Sequence, residues 1–201
     1  LLILTNQFSI ETPNYKLVKK YKNFEIRDYD KMIVAHTKIK RTFRESNSTG
    51  FRRIANYIFG GNDKEMSISM TAPVISKKSK KNPGLYEVSF VMPKKYTLED
   101  LPKPNFSSVK LEKANLGKVI CIKFGGWATE KRVERYQTDL IKSITAMGLE
   151  SKGDFLVAQY NSPWAIPPFR KNEILIQLKL KILKDFDKQK KLNLFHIKIL
   201  I

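Results

Sequence analysis

The chain has 201 residues, of which 42% are apolar and 11% aromatic, and this composition excludes a wholly disordered polypeptide. The length suits one domain with a full core, either single or built from a duplicated unit. The formal net charge of +19 favours contact with nucleic acid, anionic lipid or a carboxylate-bearing ligand. Much of this charge lies in lysine runs, which are typical of a solvated face, and seven lysines follow Leu178.

Residues 1–10 begin with the apolar run Leu1 to Leu4, which polar residues follow. One interpretation is the remnant of a signal peptide, which would make the protein exported or periplasmic, and the alternative is a cytoplasmic protein. Gln7 is a poor residue upstream of a cut after Ser9, so the compartment stays open. No apolar run of roughly 18 residues occurs, and we therefore expect no membrane span in this sequence.

The first half of the chain predicts strands on either side of a helix. Extended or alternating patterns predict strands over residues 15–21, 24–29 and 32–41. Apolar residues at helical spacing then predict a helix over residues 50–59, with Ser48 or Thr49 as its cap and Gly60-Gly61 as its end. Two further strands are expected over residues 66–71 and 85–92.

The second half repeats this order after a connection over residues 93–104 that contains three prolines. Strands are expected over residues 109–113, 118–124, 155–160 and 173–178. Between the second and third of these, a buried stripe from Val133 to Met147 predicts a helix over residues 129–147, which Gly148 ends. The single cysteine, Cys121, lies in an apolar strand, so we expect a buried thiol and no internal disulfide.

The matching order of the two halves predicts an α+β fold of duplicated strand-strand-helix-strand-strand units. We expect an antiparallel sheet of about eight strands with two helices packed outside it. The repetition is one of element order only, because the residues of the two halves do not match.

Sequence motifs for catalysis are absent. There is no glycine-rich phosphate loop, no His/Cys metal spacing and no G-x-S-x-G turn. The two histidines, His36 and His196, lie far apart, and Cys121 sits in an apolar strand. We therefore predict no catalytic residues, no metal site and no enzymatic activity.

Four separated blocks of the sequence resemble the SOUL haem-binding protein family. They are Glu11-Thr12-Pro13, Phe24 to Tyr29, the stretch GFRRIANYIFGGNDKEMSISMTAPV from Gly50 to Val74, and YNSPWAIPPFRKNEILIQL from Tyr160 to Leu178. The resemblance implies a SOUL-like domain over residues 11–178 and a distorted antiparallel β-barrel with internal twofold pseudosymmetry. Residues 179–201 lie beyond it as a basic extension, for which a docked helix, an interfacial helix and a loosely ordered tail all stay open.

The resemblance also implies a shallow apolar groove for haem or another tetrapyrrole, between the first helix and the loop before the last strand. The residues placed there are Phe51, Arg52, Ile54, Ala55, Ile58, Trp164, Ile166, Phe169 and Arg170. Arginine suits the propionates because its planar fork grips a carboxylate with two hydrogen bonds. The alternative for the helix residues is an ordinary core stripe packed on the sheet.

One departure from the family pattern concerns iron. Some SOUL members carry a histidine, proposed as an axial ligand, where this chain has Asp28. His36 matches no ligand position, and we interpret it as a solvated or packing side chain. The expected ligand is therefore haem or metal-free porphyrin, bound non-covalently without an axial histidine by a low-affinity carrier or buffer.

Two other functions stay open at this point. The first is a basic surface protein that binds an anionic membrane or nucleic acid; nucleic acid is the weaker candidate because the lysines do not interleave with exposed aromatic residues. The second is a small-molecule sensor domain, by analogy of fold alone. The oligomeric state is not predicted.

Overall fold

A computed structural model describes residues 10–161 and 165–179 of the chain, and these residues form an α+β domain. The elements in chain order are β1 (Tyr15–Lys20), β2 (Glu25–Tyr29), β3 (Met32–Lys40), α1 (Phe43–Ile58), β4 (Val74–Lys78), β5 (Leu85–Val91), β6 (Lys110–Ala114), β7 (Gly117–Gly125), α2 (Glu130–Ala146), β8 (Ser151–Gln159) and β9 (Lys171–Leu178). A short 3-10 turn, Pro167–Phe169, precedes β9. No helix in these two ranges is both long and apolar enough to cross a membrane.

The strands form one antiparallel sheet in the order β1-β2-β7-β9-β8-β4-β5-β3-β6, and the sheet curls into a half-barrel. The predicted α+β class and antiparallel pairing are confirmed. The described sheet has nine strands rather than about eight. It is also open, with β1 and β6 at its edges, whereas the family resemblance implied a barrel.

The strand order is symmetric about the β4–β8 pair. On one side lie β4, β5, β3 and β6, and on the other lie β8, β9, β7 and β2. Helix α1 packs on β3 and β5, and α2 packs on β7 and β9.

Helix α1 begins seven residues earlier than the predicted start at Gly50. Thr42 caps it: the Thr42 side chain accepts from the Glu45 N–H at 3.4 Å, and the Glu45 carboxylate accepts from the Thr42 N–H at 3.3 Å. Such a capping box satisfies backbone donors that the first helical turn leaves unpaired. The predicted start was wrong because hydrophobic spacing reports only the face that packs on the sheet, while residues 43–49 are largely polar.

The predicted strand over residues 66–71 is also wrong. Within this segment only Ser67 makes a strand-like bridge, to Phe59, and β4 begins after Pro73. Side chains take the place of a strand partner here. The Asn62 side-chain amide donates to the Met66 carbonyl at 2.8 Å and accepts from the Met66 N–H at 3.0 Å. The Thr71 hydroxyl donates to the Val91 carbonyl at 2.5 Å.

The sheet face away from the helices carries a buried polar cluster. Arg27 on β2 and Glu173 on β9 are 1% and 0% exposed, and two hydrogen bonds of 2.9 and 3.0 Å join them. Tyr160 donates to Glu173 at 2.6 Å. Burial disfavours the charge on Glu173, but the bonds from Arg27 and Tyr160 outweigh it and lower the pKa of this carboxyl. Cys121 on the intervening β7 is buried as expected, and burial raises the pKa of its thiol.

Candidate ligand-binding groove

An open groove of about 720 Å³ lies where the N-terminal ends of α1 and α2 approach each other. Its volume is in the range of typical small-molecule sites, about 300–1,000 Å³. Its lining residues are Thr42, Phe43, Arg44, Asn47, Ser48, Phe51, Arg52, Val74, Trp127, Ala128, Thr129, Glu130, Gln159, Asn161 and Arg170.

Two rows of side chains on α1 form one wall of the groove. Residues four positions apart lie on the same face of a helix. Phe43, Asn47 and Phe51 therefore form a mainly apolar row, and Arg44, Ser48 and Arg52 form a polar row beside it. Each row depends on the two helical turns before Gly50, because four of these six residues precede that position.

The opposite wall comes from the turn between β7 and α2. Trp127 stands here, and the Arg170 guanidinium carbon lies 3.6 Å from the centre of its ring. Two hydrogen bonds of 2.7 Å hold the turn: the Arg132 guanidinium donates to the Gly125 carbonyl, and the Asn172 amide donates to the Gly126 carbonyl. The tryptophan is thus presented from a fixed backbone.

The groove carries more positive than negative charge. Arg44, Arg52 and Arg170 line it, and the Arg52 guanidinium donates to the Ser48 hydroxyl at 3.1 Å. Among the described lining residues the one carboxylate is Glu130, which accepts from Lys78 and from the Tyr86 hydroxyl, each at 3.1 Å. The bond to Glu130 raises the pKa of Lys78, so this cation stays charged. Arg44 and Arg52 are exposed, and both can attract an anionic ligand.

The predicted site residues fall into three groups. Phe51, Arg52 and Arg170 line the groove. Ile166 and Phe169 are exposed on the segment just before Arg170, and Trp164 lies outside the described residues. The remaining three, Ile54, Ala55 and Ile58, are not in the groove lining.

For Ile54 and Ile58 the structure favours the alternative of ordinary core. They are 0% and 1% exposed and pack with Tyr57, Ile68 and Phe90 between α1 and the sheet. Their burial has a simple cause: the apolar stripe of an amphipathic helix is the face that the sheet buries. Residues on the neighbouring face, starting at Phe43, reach the groove instead.

The remaining lining residues were missed by the sequence analysis. The pattern Thr42-x-x-Glu45 is a capping-box signature, and it could have moved the helix start to Phe43 and brought Arg44 into the site. Trp127 has no comparable local signal. It reaches the groove because β7 pairs with β9, which sets Gly125 opposite Lys171.

The two residues considered for iron lie elsewhere. Asp28 is on β2 opposite Lys118 and does not line the groove. His36 is a packing side chain, 6% exposed, with its ring nitrogens 3.7 and 3.6 Å from Glu87 and Glu112. In the described part of the chain, no three His, Cys, Asp or Glu side chains are grouped so that they could hold a metal ion.

Two other surface depressions are less suited to an apolar ligand. One, of about 750 Å³, is bordered by four lysines: Lys20, Lys22, Lys123 and Lys142. The other, of about 500 Å³, lies between Glu11 and Lys94, which are hydrogen-bonded to each other at 2.8 Å. The groove between the helices combines an apolar floor with free space, and we take it as the candidate site.

An α+β half-barrel with an apolar, arginine-rimmed groove describes a general class of ligand-binding domain. Within that class, the profile of the SOUL heme-binding protein family matches residues 10–177, and the chain belongs to this family.

Two relatives named as heme-binding proteins support this membership. Heme-binding protein 1 of Xenopus laevis is 26% identical over 175 residues, which cover 82% of this chain and 90% of the relative. Heme-binding protein 2 of Homo sapiens is 29% identical over 165 residues, covering 77% and 80%.

Solved structures resemble the fold at much lower identity. The EcmrR C-terminal domain aligns with a TM-score of 0.61 at 10% identity, covering 83% of this chain and 99% of that one. A hydrolase from Listeria innocua aligns with a TM-score of 0.57 at 13% identity, covering 81% and 94%. At these identities the likeness shows the fold alone.

Proposed function

We propose that the protein binds haem or metal-free porphyrin in the groove between α1 and α2 and serves as a low-affinity carrier or buffer. The observation that carries the proposal is the groove itself: an apolar floor beside two exposed arginines, Arg44 and Arg52, in a member of the SOUL family. Relatives named as heme-binding proteins support the ligand class.

The groove residues fit a flat dicarboxylate. Phe51 and Trp127 offer aromatic surface to a macrocycle beside the buried Phe43, and stacking of this kind is favourable beyond simple burial. Arg44 and Arg52 are exposed on the polar row of α1, where they would hold the propionates by charge-assisted hydrogen bonds. Glu130 opposes them weakly because Lys78 already balances its charge.

An order-of-magnitude estimate gives the affinity. Burying on the order of 300 Å² of porphyrin at ~25 cal/mol/Å² contributes roughly 7–8 kcal/mol. Association entropy opposes this by several kcal/mol, and the propionate–arginine pairs return about 1–3 kcal/mol. With about 4 kcal/mol for association, the sum is about 4–7 kcal/mol, which corresponds to a Kd of roughly 10 μM to 1 mM. Such an affinity suits a carrier that must release its cargo.

Iron should make little difference to binding. The described residues that line the groove contribute no imidazole, thiol or thioether, so the macrocycle and its propionates supply the contacts. Nor does the lining pair a nucleophile with a general base, since its carboxylate, Glu130, is bound to Lys78 and Tyr86. The proposed activity is therefore binding without catalysis.

The test is a titration of the full chain with haemin and with metal-free protoporphyrin, followed by the Soret band and by tryptophan fluorescence. We expect saturable binding of both ligands with similar Kd values. The double variant Arg44→Gln/Arg52→Gln should bind about tenfold more weakly, because two charge-assisted contacts are lost. Arg135→Gln is the matched control, since Arg135 lies on α2 outside the groove and packs on Tyr136. Equal affinity of the double variant and the control would contradict the proposed site.

A further inference from the structure

Three large apolar side chains are exposed at one edge of the groove. Trp127, Ile166 and Phe169 are 50%, 59% and 72% exposed. They lie together because Arg170, next to Phe169, stacks on the Trp127 ring at 3.6 Å, and because the turn Pro167–Phe169 packs on β7. The Phe169 N–H donates to the Ile166 carbonyl at 3.2 Å, which keeps these two residues in one turn. We call the three residues the rim patch.

Several arginines lie on the side of the rim patch that faces the groove. Arg132 reaches the turn before Trp127, with its guanidinium 2.7 Å from the Gly125 carbonyl. Lys171, which follows Arg170 directly, turns away from the patch: its ammonium lies 4.2 Å from the centre of the Tyr160 ring and 4.0 Å from Glu173. Arg44 and Arg52 stand on the groove wall. The nearby carboxylates are already paired, Glu130 with Lys78 and Glu173 with Arg27.

We propose that the rim patch docks on an anionic lipid bilayer, so that the groove opens at the level of the lipid headgroups. Aromatic and aliphatic side chains that insert shallowly, beside cations that meet lipid phosphates, are the chemistry of interfacial binding. The formal charge of +19 adds long-range attraction to such a surface. The inference rests on the proposed function, because docking would let a porphyrin, which dissolves in bilayers, pass directly between the lipid and the groove.

A folded protein partner fits these residues less well. A stable protein–protein interface usually buries about 800 Å² on each partner, and charged residues are rare at its centre. The rim patch is three side chains, with the guanidinium groups of Arg170 and Arg132 beside Trp127 and the turn before it. A lipid surface accommodates both kinds of group at different depths.

Vesicle binding of the full chain tests the inference. Cosedimentation is measured with phosphatidylcholine vesicles that contain or lack phosphatidylserine. The rim variant is Ile166→Ser/Phe169→Ser. Its matched control is Phe106→Ser/Met147→Ser, which removes one phenylalanine and one aliphatic side chain of similar exposure, 55% and 58%, away from the groove. We expect binding to the phosphatidylserine vesicles only, about tenfold weaker for the rim variant and within about twofold of wild type for the control.

Trp127 provides a direct report on the orientation. The chain has two tryptophans, so a Trp164→Phe background leaves Trp127 alone. Its emission should shift to the blue on anionic vesicles and be quenched by brominated lipid. Absence of vesicle binding, equal loss in the rim and control variants, or an unchanged Trp127 spectrum would each overturn the inference.

A porphyrin titration without vesicles separates this inference from the proposed function. Porphyrin binding without vesicle binding defeats the membrane inference alone. Rim-dependent vesicle binding without porphyrin binding supports the docking surface and defeats the proposed function.

Discussion

Replacing Glu173 by glutamine should destabilise the protein without weakening porphyrin binding by the folded molecules. Glu173 is fully buried and accepts three hydrogen bonds, two from Arg27 and one from Tyr160. Glutamine keeps the shape but removes the charge and turns one acceptor into a donor that faces Arg27 or Tyr160. Arg27 would then be left with Glu25 as its remaining carboxylate partner, through bonds of 2.9 and 2.7 Å.

The expected loss is about 3–5 kcal/mol, the usual cost of breaking a buried ion pair by removing one partner. The same figure follows from losing about two charge-assisted hydrogen bonds at about 1.5–3 kcal/mol each. For a domain of this length, that loss should lower the Tm by roughly 10 °C. Porphyrin affinity should hold because Arg27 and Glu173 lie on the sheet face away from the helices, and neither lines the groove.

The assay is urea unfolding followed by circular dichroism, with the Tm measured in parallel. Glu112→Gln is the control: its side chain is 55% exposed and lies 3.6 Å from His36, so its replacement should change stability by less than about 0.5 kcal/mol. If Glu173→Gln proved as stable as this control, the buried cluster would not be the stabilising element that its geometry indicates.

Three further predictions concern stability. Gly50→Ala should destabilise by about 1–3 kcal/mol although alanine favours helices, because its Cβ would lie 2.5 Å from the Val88 Cβ; a higher urea midpoint would contradict the close packing. Thr42→Ala should cost about 1 kcal/mol by removing the cap of α1, whereas Thr138→Ala on an exposed turn of α2 serves as its control in the same urea series. Stability should also fall in acid, because the folded-state pKa values of Glu25 and Glu173 lie below the ordinary value of 4.5; their contribution is present above 4.5 and is lost as pH falls through the lower folded values. Unfolding measured from neutral to acidic pH checks this, and a Glu173→Gln curve as steep as that of wild type would count against it.

Much of the sheet was predictable because strand signals are local. The predicted strands over residues 85–92 and 118–124 coincide with β5 and β7 to within two residues at each end, and both alternate between the two faces of the sheet. Apolar and polar residues alternate equally well over residues 66–71, yet the backbone of Met66 is hydrogen-bonded to the Asn62 side chain instead of to a strand. The apolar/polar alternation of a sequence cannot show that a side chain will replace a strand as the hydrogen-bonding partner.

The groove was only partly predictable because its walls come from distant parts of the chain. Phe51 and Arg52 follow from the helix alone, and their neighbours four residues earlier follow once the Thr42 cap is recognised. Trp127 meets Arg170 only after β7 and β9 have paired. Hydrophobic spacing selected Ile54 and Ile58, which the sheet buries, because apolarity cannot tell a core face from a ligand-binding face.

Amide chemical-shift mapping would show whether a tetrapyrrole binds in the groove between the two helix N-termini. Metal-free protoporphyrin is diamagnetic, and its ring current shifts the resonances of any backbone it contacts. We expect saturable shifts concentrated at residues 42–52, 126–130 and 159–161 and at Arg170, with little change around His36 or the Arg27 cluster. Shifts centred on the lysine-bordered depression near Lys20, or on no surface at all, would contradict it.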